Sequence, residues 1–376
     1  MKKVLVFFIF VLGLFGMTMT AGAEFTIERL TDNDCYDGNP KINANGVVVW
    51  ESRINGQTHD IMLYDGTDTI NITDNNRDDR NPQISDTGYV VWEGAPNGQT
   101  YEIFLYNGFT TTQITDNLYN DQNPQVNSSG YVVWEGDSDI GYKIFLYDGV
   151  STGTVSGNSL RDHRHPQIND APAVTWDGLH TTSHDIFLYE TIPVRLSTNP
   201  YEDYFPKINN SGDVVWETDL PRSKEIYLYN GVATLELTVR NLDDKNPQIN
   251  DRSHVVWEGD TEDGYEIFYY NGAINRQITD NVYSDRNPQI NSSNNLAWEG
   301  ATEGGYEIFF YDGTEIQVTD DDYTNQKPQL NDAGQIAWES ITGKGFEIFM
   351  ATPTSSQPPP GGGDSSCACF TGLLMH

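Results

Sequence analysis

Disulfides do not hold this chain together. Of its three cysteines in 376 residues, only Cys35 lies in the body, while Cys367 and Cys369 stand near the end. A hydrophobic core must therefore carry the fold. Basic residues are also scarce, 21 against 55 acidic, for a formal net charge of −34. Such a chain does not bind nucleic acid or anionic lipid by charge. Long apolar runs are missing beyond the first two dozen residues, so no transmembrane helix is expected. The one such run follows Lys2 and Lys3 and ends at Ala21-Gly22-Ala23. That pattern reads as a secretory signal peptide over 1–23, with export to the periplasm, surface or medium. A Pro/Gly-rich stretch from Pro358 to Gly363 leads into the last residues. Residues 353–376 read as a linker and a disordered tail.

What the chain has is repetition. Its eight tryptophans are Trp50, Trp92, Trp134, Trp176, Trp216, Trp257, Trp298 and Trp338, spaced 40 to 42 residues apart. A proline stands ten residues before each: Pro40, Pro82, Pro124, Pro166, Pro206, Pro247, Pro288 and Pro328. A fixed period near 40 residues is the length of one propeller blade.

Each copy reads as four strands. In the third, Asn-Pro-Gln-Val-Asn (123–127) is a short inner strand, with proline where a missing N–H is tolerated. After the Ser-Ser-Gly turn, Tyr131 to Glu135 is apolar on both faces and so buried on both. Tyr142 to Tyr147 follows as a third strand, and Asp148-Gly149 turns the chain. The fourth strand is thin in apolar residues, as Thr112-Gln113-Ile114-Thr115 shows in the copy before. These residues resemble the TolB-like propeller repeat, which pairs a Leu-Thr strand end with a later proline, a glycine turn and an aromatic-rich strand. The resemblance covers about 30 to 350 and implies an all-β, single eight-bladed propeller over 24–352. Thr26 to Thr31 reads as an outer strand with no inner strands before it, and the last copy has none after it. The N-terminal piece is therefore expected to complete the last blade.

Acids recur at one end of the blades. Asp37, Asp79, Asp121, Asp203, Asp244 and Asp285 stand three residues before the proline. They fit either a repeated local hydrogen bond or a cation site, with calcium as the ion for such oxygen ligands. The fourth copy departs most and holds His163, His165, His180 and His184. Histidine is a common metal ligand, so these form an alternative, lyase-type site. But His163 replaces the repeated aspartate, and His184 holds a slot that is tyrosine elsewhere. No His-Glu-x-x-His string occurs, and eight near-equal copies argue against one active site. The sequence thus leads to an exported, non-enzymatic, monomeric propeller that binds protein or polysaccharide at the cell envelope. The rival is a polysaccharide lyase or hydrolase centred on the fourth copy.

Overall fold

The computed structural model describes residues 23–54, 56, 58–139, 141–157 and 161–354. The signal peptide and the tail, 1–22 and 355–376, lie outside the described residues. Thirty-two strands form eight four-stranded antiparallel sheets arranged as the blades of a ring, and there is no helix among the described residues. The first strand of every blade touches the first strands of the blades before and after it. These strands therefore surround the axis. From the axis outward, the strands of blade 1 are Tyr36–Ile42, Val48–Arg53, Asp60–Tyr64 and Thr69–Asn71. The outer strand is exposed, as at Thr111–Gln113.

The ring closes as the sequence requires. Glu24–Arg29 pairs antiparallel with Gly345–Thr354, with Ile27 opposite Ala351. Thr31 then accepts the N–H of Ile348 on its Oγ1 at 2.9 Å. The same hydroxyl bond recurs in the other blades, for example from Ile61 to Thr73 and Ile103 to Thr115. It explains the threonine or serine at the fourth strand's end: its hydroxyl satisfies a third-strand N–H that the short outer strand leaves free.

The core is not one mass but eight wedges between neighbouring blades. In one wedge, Val91, Ile103 and Leu105 of blade 2 meet Val132 and Trp134 of blade 3. All eight tryptophans are fully or almost fully buried. Most stack on an aromatic from the neighbouring third strand, as Trp134 does on Phe145 at 5.8 Å and 15°. Runs such as Val-Val-Trp suit a strand buried on both faces, because each face serves a different wedge.

Candidate functional site along the ring axis

Every inner strand carries a bulge at the step into its motif proline, seen as a register shift in all eight blades. The residue before the proline sits at positive φ: Asn39 at 55°, Asn81 at 52°, Asn246 at 53°. Asparagine tolerates that left-handed region better than most residues, and five of the eight copies use it. His165 shares some of that tolerance, whereas Phe205 and Lys327 take the same conformation without it. The bulge turns the N–H of this residue toward the preceding blade. There it meets the acid that follows the tryptophan: Asn81 on Glu51 at 2.7 Å, Asn246 on Glu217 at 2.7 Å, Asn39 on Glu339 at 2.8 Å. All eight junctions have this bond. Asparagine side chains add to it, as Asn81 donates to Glu93 at 2.8 Å. An even ring of free carboxylates is not what the structure has. All eight carboxylates are bonded and all but Glu51 are buried, and burial raises the pKa of Glu93, Glu135 and Glu217.

The six aspartates expected as calcium ligands hold tryptophans. The indole N–H of Trp50 donates to Asp37 at 3.0 Å, that of Trp92 to Asp79 at 3.0 Å, and that of Trp134 to Asp121 at 3.0 Å. Trp216, Trp257 and Trp298 bind Asp203, Asp244 and Asp285 in the same way. Each aspartate thus serves its own blade. Among the described residues no three His, Cys, Asp or Glu side chains group as a metal site would need. Burial raises the carboxyl pKa of Asp79 and Asp121 to about 6 and of Asp285 to about 7. The glycine in Trp-Glu-Gly follows from this contact: a Cβ on Gly94 would run into Asp79 and Phe104.

The four histidines do not converge. His163 takes the aspartate's place and accepts the Trp176 indole N–H on Nδ1 at 2.9 Å. Burial lowers its pKa to about 4, so it is neutral. His165 and His184 both reach Asp177, at 2.7 and 3.3 Å. His180 stands apart, against Asp185 and Arg195. One Gly-x-Ser-x-Gly string does occur, Gly149 to Gly153. It forms an exposed hairpin turn in which Ser151 faces Asp148, not the strand-to-helix elbow a nucleophile needs.

Further along the axis stands the residue after each proline: Lys41, Gln83, Gln125, Gln167, Lys207, Gln248, Gln289 and Gln329, all half-buried. Gln167, Gln289 and Gln329 donate to the carbonyl of their own proline at 2.8 to 3.0 Å. Below them, at the far mouth, two adjoining cavities of about 210 and 230 Å³ encircle the axis. Their walls combine the aliphatic side chains that end the inner strands, such as Ile42, Ile84 and Ile249, with the asparagines and aspartates of the turns that follow. Buried asparagines tie the blades here, each reaching the next blade's carbonyl, as Asn127 does to Asn169 and Asn169 to Asn209 at 3.0 Å. Sequence reasoning missed the residue after them. It is aspartate in every second blade: Asp86, Asp170, Asp251 and Asp332. Each accepts the N–H of the blade before, at 2.8 to 2.9 Å. The alternation was visible four residues after each proline.

No protein-family model matches the chain, and no curated protein matches it in sequence. Solved structures match its shape. The propeller domain of the Trilobed protease from Pyrococcus furiosus is 14% identical with a TM-score of 0.53, over 76% of this chain and 98% of that one. That propeller is described as having an open velcro topology, whereas this ring is closed by its first strand. The acylaminoacyl peptidase of Pyrococcus horikoshii is 13% identical with a TM-score of 0.53, over 82% of this chain and 58% of that one. Dipeptidyl peptidase 4 of Porphyromonas gingivalis is 14% identical with a TM-score of 0.56, over 81% and 57%. The chain thus spans a little over half the length of these whole peptidases.

These neighbours correct the expectation of a non-enzymatic envelope module. Near-equal blades argued against an active site, but they are no argument against the propeller part of an enzyme. The lyase rival gains no support from the histidines: only His165 and His184 share a partner, Asp177, while His163 and His180 hold other contacts. At these identities the likeness establishes the fold, and the chain is an eight-bladed β-propeller similar in shape to the propellers of peptidases.

Proposed function

We propose that this chain is the propeller part of a peptidase system, and that its axial channel takes peptide in extended form. The observation that carries the reading is the lining of the axis. Six glutamine amides stand along it and present N–H and C=O groups, the groups that pair with a peptide backbone; three of them spend one N–H on their own proline carbonyl. The ring's glutamates are already bonded to backbone N–H groups and asparagine amides, so they do not dominate the lining. Every described residue belongs to the propeller, so hydrolysis falls to a catalytic domain in cis or in trans. The signal-like start supports an exported setting.

The test uses the mature chain and a fluorescein-labelled, unstructured peptide followed by anisotropy. Saturable binding is expected, and Gln125→Trp with Gln289→Trp, which crowd the axis from two sides, should abolish it. Absence of saturable binding, or equal binding by the crowded variant that is still folded, would overturn the reading.

A further inference from the structure

We propose that the axial channel holds an oxyanion between Lys41 and Lys207. These are the only two departures from glutamine at the position after the motif proline. They come from blades 1 and 5, which face each other across a ring of eight. Both stand on the inner strands that surround the axis, and the Lys207 charge acts against the charged form of Lys41.

Neither lysine pairs with a carboxylate among the described residues. Lys41 has a single long contact, to Gln329 Oε1 at 3.5 Å, and Lys207 has no hydrogen-bond or ion-pair partner there. In a protein with 55 acids and 21 bases, two half-buried cations without acid partners are conspicuous. Charges drawn out of water are costly unless compensated. Glu51 and Glu339 act on Lys41 from a distance, but they are bonded to Asn39 and Asn81 and to Asn39 and Lys327. Lys327 also repels Lys41 and is itself paired with Glu339 at 2.9 Å. Burial and these repulsions lower the Lys41 pKa to about 8, and burial lowers that of Lys207. An anion between them would relieve the repulsion and gain charge-assisted hydrogen bonds, with the neighbouring glutamine N–H groups as further donors.

The chemistry suits a sulfate or phosphate ion and equally the carboxylate of a peptide. Lys41→Gln and Lys207→Gln are well-tolerated probes, because six blades carry glutamine at this position. Sulfate is expected to raise the melting temperature of the wild type beyond sodium chloride of equal ionic strength. Each single variant should weaken sulfate about tenfold, and the double variant should lose the sulfate-specific rise. As a second measurement in the wild type, sulfate should slow acylation of Lys41 by an amine-reactive ester at pH 8. A sulfate-specific rise that survives in the double variant overturns the proposal. So does a wild type in which sulfate and chloride act alike and Lys41 is not protected. Competition separates the sources. A short peptide with a free C-terminal carboxylate displaces sulfate where its amide does not if the site reads peptide termini; otherwise the site holds a free ion. This outcome is independent of peptide binding by the amide ring, since the sulfate arm contains no peptide.

Discussion

Asn331 in the eighth blade donates its side-chain N–H to the carbonyl of Asn43 in the first, 288 positions away, at 2.9 Å. This bond closes a girdle of asparagine contacts at the far mouth. Only blade 2 departs, with Ser85 at the asparagine position and Thr87 reaching Ser128 instead, at 2.7 Å. The acid-to-N–H contacts form a second girdle at the other mouth. The wedges supply burial, while the two girdles join neighbouring blades at both mouths.

Asn169→Ala should cost about 1–3 kcal/mol, because it removes a donor to Asn209 and an acceptor for the Ala173 N–H, and both partners are buried. Denaturant unfolding measures it. A loss within a few tenths of a kcal/mol would mean the girdle does not hold the blades.

Deleting residues 24–31 strips the outer strand from the last blade and takes away Phe25, which packs against Phe310. A loss of several kcal/mol is expected, together with a greater tendency to associate through the open edge. Unchanged melting of a monomeric truncation would contradict the closure.

Trp216→Ala should cost roughly 3–5 kcal/mol through the cavity it leaves. Trp134→Phe isolates the hydrogen bond, since it keeps most of the ring and leaves Asp121 without the indole donor. About 1–3 kcal/mol is expected there. Asp121→Asn should be milder, because blade 8 uses Asn325 against Trp338 at 2.9 Å. With the aspartates so engaged, millimolar calcium should shift melting no more than sodium chloride of equal ionic strength. A calcium-specific rise would return these residues to the role of ligands.

Acid should stabilise this protein. Asp79 and Asp121, at about 6, and Asp285, at about 7, hold a proton more tightly folded than unfolded, where the carboxyl lies near 3.8. Their contribution is fully present below about pH 4 and is lost as pH rises through 6 to 7. Burial also raises Asp203 and Asp244. Asp65 and Asp148, held low by turn N–H groups, act in the opposite sense but are exposed and screened; His163, held low by burial, also opposes the aspartates between about pH 4 and 6.5. Melting at pH 5 should exceed melting at pH 7.5 by several degrees at constant ionic strength, and Asp121→Asn should reduce the difference. Higher stability at pH 7.5 would contradict the buried-carboxyl account.

The blades were legible because their signals are local. Val132-Val133-Trp134 shows two buried faces, and Thr26 to Thr31 shows an unpaired outer strand. The role of Asp37 was not legible in the same way. Its fixed position left hydrogen bonding and cation binding both open, and the choice depends on a bulge that aims it at Trp50, 13 residues on. Lys41 and Lys207 were visible as exceptions in a column of glutamines. Their opposition across the axis follows only once the ring is known to hold eight blades. The histidines misled because residue type suggested chemistry where position preserved a structural contact, as His163 does with Trp176.

The central claim is that peptide occupies the axis, and site-specific photocrosslinking tests it most directly. A photoreactive phenylalanine analogue replaces Gln125 on the inner strand or, as a control, Thr112 on the exposed outer strand of blade 2. An unstructured peptide is then irradiated with each protein. The account predicts adducts from position 125, competed away by unlabelled peptide, and none from position 112. Equal labelling at both positions, or labelling at 112 alone, would contradict it.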